Sequence, residues 1–323
     1  MGKYILKRIG IMFLMFILIS TMIFFLFRAM PGDPTAFVVD PSIPKEARDA
    51  LLAEYGLDKG LGTQYVIFLK DLLKLDFGQS YFYGKSVIQI IGERLPATLI
   101  LMFTAMIFAY ILGIILGTAM AWKRGGILES GSILFALFFR SAPTFWVGLM
   151  AIIIFSTVLK WLPAQGMRSA GYVGETFSEI FLKLDFLKHL ILPSFVAGLY
   201  FLATPMLIMR NSMLEVMDED YIEMARAKGL TDRRIRYAHA ARNALLPVIT
   251  SGALFIGSAI GGQVLLEVVF SWPGLGREIV QAVTRHDYPL AQGSFIIISM
   301  MMMIMNLVAD VLYAALDPRI SYD

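Results

Sequence analysis

The chain of 323 residues is 58% apolar, with a mean hydropathy of +0.70, which is too apolar for an ordinary soluble domain and predicts several membrane spans. Its 28 Lys and Arg against 25 Asp and Glu leave a net charge of +3, too small a balance for a nucleic-acid partner, and the cations stand at the ends of apolar runs. Cysteine is absent, so a disulfide framework, a zinc thiolate site and a thiol nucleophile are excluded, and the redox compartment stays open.

Lys3, Lys7 and Arg8 precede an uncharged run, residues 9–27, long enough to cross ~30 Å of hydrocarbon as a helix and so the first predicted span. A cleaved signal peptide has a shorter apolar region, ~7 to 15 residues, and no small-x-small cleavage site follows this run. The three cations predict an N-terminus on the inside. Residues 28–94 are soluble in character. They open with Met30-Pro31-Gly32-Asp33-Pro34, which cannot continue a helix, and residues 44–54 read as a short helix. Mixed charges fit an external cap packed on the membrane domain. Gly84-Lys85-Ser86 has the end of a phosphate-loop pattern, but the position five residues before Gly84, where that loop needs a glycine, is Gln79, with Gly78 one residue off. No nucleotide site is therefore predicted in this chain.

Span two is expected over residues 95–122, with Pro96 in a first-turn position and Lys123 and Arg124 marking the inside. Over residues 127–159 the apolar run exceeds one crossing. Counting back ~30 Å from Lys160 at ~1.5 Å per residue puts Arg140 at the inner boundary, where snorkelling is its default role and a pathway role the alternative. Pro143 is expected to bend this third span. Residues 160–188 form the second external loop, with Trp161 at an interface-like position and an amphipathic piece over 177–187. Span four follows over 189–209, with kinks expected at Pro193 and Pro205.

Span five, residues 245–270, is rich in small residues (Ser251, Gly252, Gly257, Ser258, Ala259, Gly261, Gly262) and is predicted to be buried among other helices. Residues 271–289, with Trp272-Pro273-Gly274, form the third external loop, and span six covers 290–316. Six spans put both termini inside. The inner segments hold most of the remaining Lys and Arg once the first loop, longer than ~60 residues, is set aside. Met300 to Met303 suit the filling of packing gaps. On span six Asn306, Asp310, Tyr313 and Asp317 share one helix face. A carboxylate at bilayer depth is costly unless it faces protein or water, so Asp310 should point inward and Asp317 lie in the inner interface. Gln263 and Glu267 are four apart near the outer end of span five. Each pair could line a route, or else form interhelical hydrogen bonds or a salt bridge with an interfacial arginine, and spacing does not separate the two readings.

Residues 218–247 form a charged island between two apolar segments. Asp220 reads as a helix N-cap with Glu223 reaching back to it. Gly229 ends that helix, and Thr231 caps a second. Arg226, Lys228, Arg233, Arg234, Arg236 and Arg242 could simply keep a loop inside, but that does not account for the ordered succession of cap, small residues, glycine and second cap. A stiff helical elbow at the membrane surface suits gripping something in the water.

With Glu223, Ala225 and Gly229 followed by Leu246-Pro247, the elbow resembles the EAA loop of ABC importer permeases, the cytoplasmic element that docks into the ATPase subunit. The strongest likeness is to the peptide/nickel branch, through ARAKGL at 225–230, His239-Ala240 and RNALLP at 242–247. Met224 stands where the general motif has its first alanine, and the gap from Gly229 to Leu246-Pro247 is longer than in the general motif; both departures are attributed to the branch. MPGDP (30–34), GERLPATL (92–99), SAPTFWVG (141–148), FSWPGLGR (270–277) and NLVADVLYAALDPRI (306–320) are similar to blocks of the same branch, in family order over nearly the whole chain.

The resemblance implies an all-α integral membrane protein with six transmembrane helices in the type I ABC importer permease fold. Residues 1–94 would be the N-terminal span and an extended extracytoplasmic loop, 95–317 a five-helix core with a coupling loop at 210–244, and 318–323 a cytoplasmic tail. It implies a B-type subunit of the bacterial inner membrane, with both termini cytoplasmic, moving di- or oligopeptides inward; nickel chelates and oligosaccharides are alternative cargoes. Implied partners are a second, related permease in a heterodimer, two cytoplasmic ATPase subunits holding ATP and magnesium, an extracytoplasmic substrate-binding protein and the lipid bilayer. The chain itself would carry no cofactor, metal or catalytic site. Tyr221, Glu223, Ala225, Arg226, Ala227, Gly229, Leu230 and His239 would couple to the ATPase. Trp272, Pro273 and Gly274, with the first external loop, would meet the binding protein. Gln263, Glu267, Asn306 and Asp310 would be the pathway or interhelical polar residues. An ion-coupled secondary transporter is the rival that Asp310 and Glu267 keep open, although no repeat or paired broken helices are visible. An intramembrane enzyme is disfavoured by three scattered histidines with no HExxH or Ser-His spacing.

Overall fold

The structure is a computed structural model describing residues 2–29, 58–169, 181, 183–259, 261 and 263–316. It is helical throughout: α1 (Gly2–Ala29), α2 (Leu61–Leu73), α3 (Val87–Trp122) and α4 (Ile127–Ser141) come first. Next is α5 (Thr144–Ala151), running into a π-helical segment (Ile152–Val158), then α6 (Leu184–Phe201), α7 (Ala203–Met217) and α8 (Asp220–Ala227). A short α9 (Asp232–Arg234) passes through a second π-helical segment (Ile235–Ala241) into α10 (Arg242–Ala259). The chain continues as α11 (Val264–Val269), α12 (Leu275–Thr284) and α13 (Tyr288–Leu316).

α1, α3, α6 and α13 each contain a stretch long and apolar enough to cross a membrane, and α4 with α5 and its π segment makes a fifth such unit, bent by 104°. The bend falls at Ala142 and Pro143, both with extended backbone, as the position of Pro143 predicts. The fifth predicted span is shorter than expected. α10 stops at Ala259, and α11 is a separate short helix; Gly261, of the poorest helix-forming type short of proline, stands between them. α10 alone has 18 residues, about 27 Å at the helical rise.

Three boundaries differ from expectation. α3 starts at Val87 rather than 95, so Pro96 lies inside the helix, where it denies a hydrogen bond to the carbonyl four residues back. That residue is the exposed Gly92, whose free carbonyl can be solvated. At 36 residues, about 54 Å, α3 must project beyond the hydrocarbon. α6 starts at Leu184, and α13 at Tyr288. Between α6 and α7 the helix breaks at Leu202, leaving Pro205 in the first turn of α7. The expectations for residues 30–34 and 44–54, for the first part of the amphipathic piece, for Asp317 and for the tail lie outside the described residues.

The centre of the packing is α3 against α6 and α7. Facing pairs Ala105–Gly198, Gly113–Met206 and Gly117–Arg210 advance in step, so the helices run parallel. A methyl group on Gly117 would lie 2.5 Å from the carbonyl oxygen of Met206, and one on Gly198 would lie 2.4 Å from the ring of Phe108. In lipid, where apolar burial gives no drive for helix association, such backbone proximity supplies the dispersion contacts instead. α1 is largely exposed. Near its end Phe24 packs on Tyr65 and Phe68 of α2, and Arg28 Nε donates to Gln64 Oε1 at 2.7 Å. The molecule thus has an elbow end, where α7, α8 and α9 meet, and a far end, where α2, α11 and α12 gather.

Candidate functional site

At the elbow, α8 turns Ile222 and Ala225 inward, onto Met209 and Met213 of α7 and Ile235, Ala240 and Ala241 of the π-helical segment. The helix starts one residue earlier than its sequence suggests. Glu219 holds the N-cap position, with no side-chain cap bond. Asp220 is already helical, so the capping box is not formed; Asp220 and Glu223 instead place charge in the first turn, where the helix dipole favours it. The other end is built as expected. Gly229 has φ +74°, the Leu230 amide donates to the Ala225 carbonyl at 3.2 Å, and the Gly229 amide to that of Arg226 at 2.9 Å, which is the paired bonding of a Schellman cap. Thr231 is extended, and its carbonyl accepts from the amides of Arg234 and Ile235, while its hydroxyl makes no cap bond.

From Asp232 the chain stays helical to Ala259, so the second limb of the elbow is the foot of a membrane helix. Asn243 Nδ2 donates to the Tyr221 hydroxyl at 2.7 Å, tying the limbs together, and the Arg236 guanidinium lies over Trp122 and Tyr237. Of the residues selected from sequence, Tyr221, Glu223, Arg226, Ala227 and Gly229 are exposed, and Leu230 and His239 half-buried. Ala225 is buried, so it sets the packing of α8 and offers no contact surface. Met224 and Tyr237 are exposed apolar residues on this surface that sequence reasoning passed over. Thr231, Arg233, Arg234, Tyr237 and Ala238 line a shallow hollow beside them. A further brace stands close by: Arg210 of α7 binds Glu129 of α4, with its Nε 2.8 Å from Oε1, and Glu129 Oε2 accepts from the Gly125 amide.

At the far end, Glu267 is fully buried. Thr98 Oγ1 donates to its Oε1 at 2.7 Å and the Arg277 amide to its Oε2 at 2.9 Å. Thr98 Oγ1 in turn accepts from the Leu275 amide. The loop after α11 is therefore wrapped around this carboxylate, and a methyl group on Gly274 would lie 2.5 Å from it. Trp272 is also fully buried, with Nε1 donating to the Ala97 carbonyl at 2.9 Å and its ring against Phe186. The expectation that Trp272 and Gly274 present a surface to another protein is corrected here: both are inside, and of the three only Pro273 is partly exposed. Glu267 is likewise committed to its own loop rather than to a route. Gln263 precedes the first turn of α11 and does not share the Glu267 cluster.

A second buried acid, Asp287, was missed. It accepts from the Ser80 hydroxyl and from the amides of Tyr81 and Phe82. Its position just before Tyr288-Pro289 is a helix-start signature that the sequence does carry. Glu278 accepts from the Tyr83 hydroxyl at 2.8 Å and pairs with Arg94 at 3.0 Å. Gly84-Lys85-Ser86 belongs to this clasp, closing a tight turn with Ser80 bonded to Lys85. On α13 Asn306 is exposed, and Asp310 lies within the helix.

Arg140 requires a correction of depth. Counting along a straight helix fails because the chain bends by 104° just after it. The guanidinium lies 4.5 Å from the ring centre of Tyr200. Along α4, Arg140 is about 16 Å from Glu129, and along α6 and α7 Tyr200 is about 15 Å from Arg210. The bound pair Glu129–Arg210 lies toward the elbow end, so the unbroken path along α4 places Arg140 about half of a ~30 Å hydrocarbon layer further from that end.

A family model described as "Binding-protein-dependent transport system inner membrane component" matches residues 113–322, and the model of its N-terminal part matches residues 1–102. The dipeptide transport system permease protein DppB of Escherichia coli K12 is 38% identical over 337 residues, covering 100% of this chain and 99% of the relative. The oligopeptide transport system permease protein AppB of Bacillus subtilis is 36% identical over 323 residues, with all of both chains covered. The di/tripeptide permease DppB of Pseudomonas aeruginosa is 36% identical over 338 residues, covering 100% and 99%. An inward-facing structure of the MetNI methionine ABC transporter shares the fold with a TM-score of 0.51 at 17% identity, over 71% of this chain and 97% of the solved one. The architecture is accordingly that of the type I importer permeases, and the chain belongs to the inner-membrane components of binding-protein-dependent ABC importers.

Proposed function

We propose that this chain is a translocating subunit for di- or oligopeptides, moving them inward with energy from ATP hydrolysed on partner subunits. Its relatives of similar length are named as dipeptide and oligopeptide permeases, which supports the cargo class. The subunit has no catalytic site of its own; two ATPase subunits carry ATP and magnesium, a second related permease completes a heterodimer, and an external binding protein delivers cargo. Both termini and the elbow face the cytoplasm, and Pro273 with the first external loop meets the binding protein.

The observation that carries this reading is the elbow. Its surface is open, its core is packed, and its second limb continues into α10 without interruption. Closure of an ATPase pair would shift α8 and α9, and α7 and α10 would turn that shift into a change between two packings. Glu267 is engaged by Thr98 and Arg277, which removes one of the two acids an ion-coupled carrier would use. In proteoliposomes holding the whole complex, Gly229→Pro and Glu223→Lys are expected to insert and assemble normally while ATP-dependent uptake falls more than tenfold. Ordinary uptake by both variants would falsify the coupling role.

A further inference from the structure

Arg140 is the cation whose place in the fold nothing above explains. It is exposed on this chain, yet sits inside the apolar bent unit of α4 and α5, about 16 Å along α4 from Glu129. No carboxylate among the described residues lies within ion-pair distance of it. A guanidinium keeps its charge at every physiological pH, and a charge at that depth is stable only against water, a cavity or a protein partner. The backbone next to it points the same way. Ala142 and Pro143 are extended rather than helical, and Ser141 and Pro143 are exposed, whereas non-helical backbone at membrane depth is tolerated only where it is buried in protein or lines a water-filled cavity. Lipid is therefore excluded as the neighbour of this corner.

We propose that Arg140, held against Tyr200, is a station on the translocation route that receives the terminal carboxylate of a peptide in transit. This rests on the peptide reading given above. The Tyr200 ring fixes the guanidinium while leaving its N–H groups available, and their fork matches the two oxygens of a carboxylate. The break between α4 and α5 makes room beside the cation for a polar chain that a continuous apolar helix would repel.

The test uses the assembled complex with its binding protein in proteoliposomes, and the natural absence of cysteine makes it direct. Arg140→Cys is expected to react with a charged, membrane-impermeant methanethiosulfonate, read as a mass shift of this chain, and to react at least fivefold more slowly when a dipeptide is being transported. Leu14→Cys, on the exposed apolar face of α1, is expected to stay unmodified. Arg140→Ala should lower dipeptide uptake at least tenfold with assembly unchanged, and Arg140→Lys should recover part of it. A thiol at 140 that never reacts but crosslinks to the second permease overturns the proposal in favour of an interface ion pair. A reactive thiol indifferent to peptide, or full uptake by Arg140→Ala, overturns the carboxylate contact. Should the wild-type complex carry no peptide at all, the cargo reading fails, and the carboxylate ligand with it, whatever the thiol does.

Discussion

A carboxylate sealed from solvent is stable only while its oxygens accept hydrogen bonds, and at Glu267 those bonds come from Thr98 and the Arg277 amide. An amide NH2 in place of one oxygen leaves either the Arg277 N–H facing a donor or the Thr98 hydroxyl proton without its acceptor, so Glu267→Gln is expected to cost about 2 kcal/mol. Gly274→Ala, whose methyl would enter the carboxylate, should cost about 1–3 kcal/mol by overpacking. Thermal unfolding of the purified complex would check both, and an unchanged midpoint for either would mean that the loop is not built on this acid. The four-residue spacing of Gln263 and Glu267 was legible, but its meaning was not. Spacing fixes the face of a helix, whereas here the helix begins between the two residues and the loop beyond it folds back. Trp272 misled for a related reason: an aromatic beside Pro-Gly marks a loop whichever way its ring points.

Among the elements, the parallel seam of α3 with α6 and α7 has the least room to adjust, because Gly117 meets backbone rather than the flexible end of a side chain. Gly117→Leu is expected to push the helices apart, destabilise the complex by about 1–3 kcal/mol or more and reduce the amount assembled in the membrane. A midpoint within error of wild type would show that the seam tolerates a wider spacing. The Gly113-x-x-x-Gly117 pattern is a readable small-residue signal, outnumbered in the sequence by the small residues of span five. Apolar runs located the membrane segments well, since a run of hydrocarbon is a local property. They could not reveal the breaks at Leu202 and after Ala259, because a broken helix and a straight one have the same composition. The depth assigned to Arg140 failed on that point, as a count of residues measures distance only along a straight path.

For the molecule as a whole, the elbow's location, its Gly229 cap and the succession of membrane segments were legible, because caps, glycines and charge islands act over a few residues. The ties between distant parts were not. If the continuous helix from Asp232 through α10 transmits movement as a stiff body, then Ala238→Gly with Arg242→Gly, both at exposed positions, should soften it by about 1 kcal/mol each. Uptake is expected to fall several-fold while the ATPase subunits still co-purify and still hydrolyse ATP. Uptake equal to wild type would show that stiffness is not what matters. The clasp at the far end carries a different consequence, one of timing. Ser80 and Asp287 are 207 residues apart in the chain, so the turn made early in synthesis waits for its partner until the ribosome has nearly finished. This clasp is therefore closed late, and a nascent chain halted before Asp287 leaves it open.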